Sequence, residues 1–74
     1  MTFKDFIEKF ADAVEIEDIS ILDGSTRFRD LNDWNSLAAL SVISMFDEEL
    51  DKELTVTDFK KAQTLEDLFI LANN

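Results

Sequence analysis

The chain has 74 residues, and its 17 acidic and 7 basic side chains give a formal net charge of -10 at pH 7. A chain this short buries only about 60% of its unfolded surface, so we expect residues 1–74 to form a single domain. It contains neither cysteine nor histidine, which excludes disulfide bonds and removes the usual general base and the commonest metal ligands. We therefore expect a protein that is not an enzyme and holds no metal.

The negative charge also restricts the partners. Nucleic-acid binding draws on Lys and Arg to neutralise phosphates, so a charge of -10 argues against it. Such a protein instead attracts partners with basic surfaces. Because no charged-then-apolar leader opens the chain and no apolar run approaches membrane-spanning length, we expect a cytoplasmic protein without membrane insertion. We also expect a monomer.

The composition favours an all-α fold. Hydrophobic residues make up 46% of the chain, while it has one glycine and no proline, so few residues interrupt helices. The first predicted helix covers residues 2–14, with Thr2 and Asp5 resembling a capping box at its start. Its apolar residues recur at steps of three and four: Phe3, Phe6, Ile7, Phe10, Ala13 and Val14.

Periodicity fades across residues 15–35, which predict a long loop with a turn around Gly24. Loops of this length inside compact domains are commonly functional or held down by their own side chains. The apolar residues available to hold it are Ile19, Ile21, Leu22, Phe28 and Leu31.

A second helix is predicted over residues 36–50, where the Ser36 hydroxyl can accept from an early backbone amide. Ser36 therefore lies at or beside the N-cap. Thr55 or Thr57 can cap a short third helix that ends near Lys61. Thr64 and Asp67 begin a last helix, which carries Leu65, Leu68, Phe69 and Leu71. The predicted architecture is a four-helix bundle with three longer helices, one short helix and a long loop between helices one and two.

The second helix carries two stripes at helical spacing. The first is predicted to face the core and contains Ala39, Val42, Ile43, Phe46 and Leu50. The second begins apolar and ends acidic, and contains Leu37, Leu40, Ser41, Ser44, Asp47, Glu48 and Asp51. It is either a docking surface for a partner with basic residues around an apolar slot, or a solvated acidic face whose two leucines pack under the long loop.

Residues 28–37 have the sequence FRDLNDWNSL, followed by AALSVI at 38–43, DEEL at 47–50 and AQTLEDL at 62–68. Together with the length, acidity and helix order, these segments resemble the acyl carrier protein family over essentially the whole chain. The signature of that family is Asp-Ser-Leu at the start of the second helix, and its serine receives phosphopantetheine from a phosphopantetheinyl transferase. Here the triplet is Asn35, Ser36 and Leu37.

The resemblance implies that Ser36 carries a covalent phosphopantetheine arm whose thiol holds acyl groups as thioesters. It implies partners that are a phosphopantetheinyl transferase and acyl-processing enzymes with basic docking patches. In the family the acid before the serine helps transferases recognise the carrier, and an acid used in docking often stands where this chain has Ser41. The partner-binding residues implied are Asn35, Leu37, Leu40, Ser41, Ser44, Asp47, Glu48 and Asp51.

The residues themselves are consistent with that role. A phosphodiester at the start of a helix lies near unsatisfied amides and the positive end of the helix dipole. Without histidine, the chain has no obvious means to activate Ser36, so a partner must do so. The acidic residues do not have the ligand spacing of an EF-hand. A carboxylate glycosidase needs two opposed acids in a cleft, and no sizeable cleft is expected between such short helices. Peptidyl, aryl and D-alanyl carriers, and an unmodified helical module with the same fold, remain as alternatives.

Overall fold

The computed structural model describes residues 1–73, and this part of the chain contains four α-helices and no extended strand. The helices are α1 (Phe3–Val14), α2 (Ser36–Glu49), α3 (Val56–Lys61) and α4 (Leu65–Ala72), and two short 3-10 helices, Ile19–Ile21 and Phe28–Asp30, lie in the long loop. The predicted all-α bundle is therefore confirmed. None of the helices within residues 1–73 has the length and apolar character needed to span a bilayer.

Threonines cap three of the helices. The Thr2 hydroxyl accepts from the Asp5 amide at 3.1 Å, although no return bond from the Asp5 carboxylate is present within residues 1–73. Thr55, and not Thr57, caps α3. Thr64 and Asp67 form a complete capping box at α4, which satisfies amides at both sides of the helix start.

The helices enclose one apolar core, in which no polar or charged side chain is buried in the described part of the chain. Four phenylalanine rings at its centre, Phe6, Phe10, Phe28 and Phe46, are at most 1% exposed. Phe6 and Phe46 join α1 to α2 through an edge-to-face contact with ring centroids 6.1 Å apart. Such ring pairs stabilise a fold by more than the apolar area they bury.

The prediction for the loop was wrong at two residues. Ile19 and Ile21 are 39% and 56% exposed, whereas Leu22 and Phe28 are buried and Leu31 packs half-buried against the core. The Asp18 carboxylate accepts from both the amide and the hydroxyl of Ser20 and so closes a tight turn. This turn leaves both isoleucines on its outer side, and the chain re-enters the core only at Leu22.

Another apolar residue, Ile16, is 8% exposed and was not predicted to hold the loop. Glu15 ends α1 in the left-handed conformation, with φ 63°. The chain therefore turns back, and the Ile16 amide donates to the Ala11 carbonyl at 2.8 Å. This is the helix-ending geometry that glycine usually provides, and it directs Ile16 into the core.

Polar contacts fix the long loop to α3 and α4. The Leu65 amide donates to the Thr26 carbonyl and the Glu66 amide to the Gly24 carbonyl, each at 3.0 Å. The Arg29 guanidinium donates to the Phe59 and Ala62 carbonyls at the end of α3, each at 2.6 Å. These contacts hold the loop, and with it the residues leading to α2, in one position against the bundle.

Candidate functional site

The start of α2 is capped by Asn35. Its side-chain oxygen accepts from the Ala38 amide at 2.9 Å, and its backbone is extended, as is usual for an N-cap residue. Ser36 is the first helical residue and is exposed. The prediction that Ser36 lies at or beside the N-cap is confirmed, but the capping oxygen belongs to Asn35. No hydrogen bond within residues 1–73 engages the Ser36 hydroxyl.

Two backbone amides remain open beside this hydroxyl. The first hydrogen bond of the helical pattern runs from the Ala39 amide to the Asn35 carbonyl at 3.1 Å, and the Ala38 amide is taken by the cap. In the described part of the chain, the Ser36 and Leu37 amides donate to no protein acceptor. These amides carry the partial positive charge of the helix start.

The core-facing side of α2 is rotated relative to its prediction. Val42 and Phe46 are buried as predicted, but Ala38 and Met45 complete the buried set. The remaining predicted core residues, Ala39, Ile43 and Leu50, are only half-buried at the margin of the core. The rotation follows from packing on α1, the helix with which α2 makes its most extensive contacts.

The second stripe of α2 is largely open. Leu37 and Leu40 are 73% and 61% exposed, so the alternative in which both pack under the loop is wrong. Ser44, Asp47, Glu48 and Asp51 are exposed and Ser41 is half-buried. A groove of about 260 Å³ lies beside the two residues that flank Ser36, between the end of α1 and the start of α2. Five of the predicted docking residues line one groove of about 340 Å³: Leu37, Leu40, Ser41, Ser44 and Glu48. Asp51 instead lies beyond the end of α2, in the left-handed conformation with φ 52°.

The acidic end of this face is free of intramolecular ion pairs. Within residues 1–73 the ion pair present joins Lys9 to Glu49, with the amine nitrogen 3.5 Å from a carboxylate oxygen. The carboxylates of Asp47, Glu48 and Asp51 are exposed and have no such partner in that range. Their charges are therefore available to a basic partner, at a strength that falls as salt increases.

A model of the family described as the phosphopantetheine attachment site matches residues 4–69. The chain belongs to this family. No match was found among curated proteins or among solved structures. The protein is accordingly a carrier of covalently bound phosphopantetheine, and domains of this family work with processing enzymes rather than as catalysts.

The start of α2 fits the phosphate of this group. Ser36 offers an exposed hydroxyl, and the two open amides beside it suit the negative charge of a phosphodiester. No acidic side chain occupies the first turn of α2. Attachment at Ser36 needs neither unfolding nor the loss of a side-chain hydrogen bond among the described residues.

Sequence reasoning missed what Asn35 does. Asn35 stands out in the sequence only as a departure from the family's acid, although asparagine is among the best N-cap residues and Ala38 lies three positions on. That spacing was the signal for a cap. Because the amide side chain performs the capping, the Ser36 hydroxyl is released from it.

Proposed function

We propose that Ser36 is the attachment site and that the protein is an acyl carrier protein, which delivers acyl intermediates to fatty-acid, polyketide or related biosynthetic enzymes. The observation that carries this proposal is the exposed Ser36 hydroxyl beside two open amides at the start of α2. The phosphopantetheine arm supplies the thiol on which an acyl group is held as a thioester. The chain supplies the anchor for that arm and the surface that partners bind.

Ser36 acts as the nucleophile when the arm is attached. A hydroxyl attacks only when its proton is removed, and the chain contains no histidine to take it. No hydrogen bond within the described residues directs another side chain at the Ser36 oxygen. The base therefore belongs to the phosphopantetheinyl transferase, and Ser36 must enter that active site, which its exposure permits.

The open stripe of α2 is proposed as the docking surface. Leu37 and Leu40 provide an apolar contact beside Ser36, with Asn35, Ser41 and Ser44 around it, and the partners are the transferase and acyl-processing enzymes. The unpaired Asp47, Glu48 and Asp51 continue the surface toward the end of the helix. An apolar centre bordered by charges is a common interface plan, in which the charges direct encounter and orientation. Basic patches on the partners complement it in the cytoplasm, where we propose that the carrier acts as a monomer.

Sister carriers of peptidyl, aryl or D-alanyl groups share the attachment chemistry, and the strong acidity of the chain favours the fatty-acyl or polyketide branch. A bare interaction module with the same fold is kept as an alternative by Asn35, which stands where the resemblance places an acid. The first experiment must therefore ask whether Ser36 is modified.

The test is intact mass after incubation with coenzyme A and a broad-specificity transferase. We expect the mass increment of one phosphopantetheine on the natural sequence and none on Ser36→Ala. Thr57→Ala is the control, because Thr57 presents an exposed hydroxyl on α3, outside the proposed docking surface, and it should be modified fully. An unmodified natural chain, or a modified Ser36→Ala, would contradict the proposal.

A further inference from the structure

Four aromatic rings form a cluster that includes Trp34 in the segment leading to Ser36. The ring of Trp34, two residues before Ser36, has its centroid 5.1 Å from that of Phe28 and 6.1 Å from that of Phe59. Phe28 and Phe59 stack at 5.8 Å with an interplanar angle of 11°. Phe10 of α1 stacks on Trp34 at 6.4 Å. This aromatic cluster, Phe10, Phe28, Trp34 and Phe59, connects α1, the long loop and α3.

The aromatic cluster is closed by Arg29. Its guanidinium carbon lies 4.6 Å from the ring centroid of Phe28 and 5.2 Å from that of Phe59. The same guanidinium donates to the Phe59 and Ala62 carbonyls. The cation–π contacts and the hydrogen bonds of Arg29 both hold the long loop against α3. Moving α3 away from the loop would therefore break both sets of contacts at once.

The core residues of α2 and the loop residue Phe28 are likewise shielded from solvent. Val42 and Phe46 are at most 1% exposed, and Phe28 is 0% exposed. An acyl chain that entered the bundle from Ser36 would have to displace rings of the aromatic cluster and separate Arg29 from α3. Interiors packed to this degree do not accept extra methylene groups without strain.

Resting on Ser36 as the attachment site, we propose that this carrier keeps its cargo outside the helices and therefore carries short or polar acyl groups. The aromatic cluster occupies the interior that a long chain would need. Arg29, bound to the carbonyls at the end of α3, holds the long loop and α3 together around it. A long apolar chain would then remain in water, which is unfavourable for each methylene exposed. A short or polar acyl group has little to gain from shelter.

The test compares carriers loaded with acyl groups of different length. The transferase is supplied with acetyl- or octanoyl-coenzyme A, the intact mass confirms each product, and thermal unfolding of each is followed. We expect the two melting temperatures to agree within about 1 °C, since a group that does not enter the folded core does not stabilise it. A melting temperature at least about 4 °C higher for the octanoyl form would overturn the proposal.

A second measurement is independent of melting. Hydroxylamine cleaves a thioester more slowly if the folded protein must first open to expose it. Because we place both acyl groups outside the helices, we expect release rates from the acetyl and octanoyl forms within about twofold. Octanoyl release slower by about tenfold or more would show a sheltered chain and overturn the proposal.

Phe59→Ala removes one ring of the aromatic cluster and Val56→Ala is its matched control, an exposed apolar residue on the same helix. In Phe59→Ala we expect the octanoyl form to melt above the acetyl form, since the cavity gives the chain a place to enter; in Val56→Ala we expect no difference. Equal melting of both forms of a folded Phe59→Ala would contradict the role given to the ring. If that variant does not fold, the comparisons on the natural sequence decide alone.

The mass measurement separates this inference from the proposed function. A chain that gains no mass, or gains it in Ser36→Ala, overturns both the attachment site and the location of the cargo. A chain modified at Ser36 that nevertheless shows length-dependent protection overturns the location alone.

Discussion

The first turns of α2 and α4 both follow a polar N-cap residue, but their backbone amides are satisfied to different extents. At α4 the Leu65 and Glu66 amides donate to loop carbonyls, and the Asp67 amide donates to the Thr64 hydroxyl at 3.2 Å. The Asp67 carboxylate also accepts from the Gln63 and Thr64 amides. Every amide of this turn is therefore used, and the turn joins the helix to the long loop.

At α2 the cap reaches only the Ala38 amide, and within residues 1–73 the Ser36 and Leu37 amides find no acceptor. The difference follows from where each helix start lies. Buried helix starts must satisfy their amides, whereas an exposed one can leave them to water or to an incoming anion. The closed start of α4 joins the helix to the long loop, and we propose that the open start of α2 serves attachment.

The largest expected effect is on the closed start. Thr64→Ala removes the hydroxyl that accepts from Asp67, and because the loop rests on the same turn, we expect a loss of about 1–2 kcal/mol in the free energy of unfolding. Asn35→Ala should cost about 1 kcal/mol, since its cap supports no second segment. Urea titrations followed by circular dichroism measure both.

Thr57→Ala is the control for this comparison, because Thr57 is exposed and lies inside α3 while Thr55 performs the capping. We expect its effect to stay within about 0.5 kcal/mol. A Thr57→Ala variant as unstable as Thr64→Ala would show that the closed start contributes nothing special.

A smaller effect concerns pH. The Gln63 and Thr64 amides that Asp67 accepts from lower the pKa of its carboxyl below the ordinary value of 3.8. A group with a lowered pKa stabilises the fold above its ordinary pKa, and that contribution is lost as pH falls through the folded value. Asp67→Asn should therefore be less stable than the natural sequence by about 0.3–1 kcal/mol at pH 6–7, and the difference should shrink below pH 4.

Thermal unfolding of both chains across pH 2.5–7 measures this difference, and the other acids cancel because both chains contain them. They include Asp23, whose pKa is lowered by the Ser25 hydroxyl and amide. The cost of Asn35→Ala should not change in the same range, since its cap does not titrate. If the stability difference between Asp67→Asn and the natural sequence stayed constant across this pH range, ionisation of Asp67 would not be its source.

Much of this comparison could be predicted from sequence, because helix order and caps depend on local patterns. Thr64 with Asp67 is a recognisable capping box, and the helix starts at Ser36, Val56 and Leu65 follow from short-range rules. The exposed serine and the acidic stripe were predicted for the same reason. The family match over residues 4–69 confirms the type of protein they belong to.

What could not be predicted depends on contacts between distant segments. Ile19 and Ile21 looked suited to the core, yet the turn held by Asp18 leaves them outside. Arg29 had no marked role in the sequence, since its acceptors on Phe59 and Ala62 lie 30 and 33 residues away. Periodicity also predicted a core-facing side of α2 that is rotated from the observed one, because the side of α2 that α1 covers is set by tertiary packing.

The smallest expected effect on stability is at the open start, where Asn35→Asp should preserve the cap, because the two residues cap about equally well. The added negative charge favours the helix start but increases the repulsion within a chain of net charge -10. These effects oppose each other, so we expect the free energy of unfolding to change by less than about 0.5 kcal/mol. Attachment should respond more strongly, since the resemblance places an acid here for the transferase.

We therefore expect the initial rate of phosphopantetheine transfer to rise roughly three- to tenfold in Asn35→Asp, as one added charge contact of about 1 kcal/mol would produce. The rate should stay unchanged in Thr57→Asp, which adds the same charge on α3, outside the proposed docking surface. The rate is read from the mass increment over time at low salt, where the contact is least screened. Equal rates for Asn35→Asp and the natural sequence would mean that Asn35 contributes only its cap, and that the transferase recognises this carrier through the rest of the α2 face.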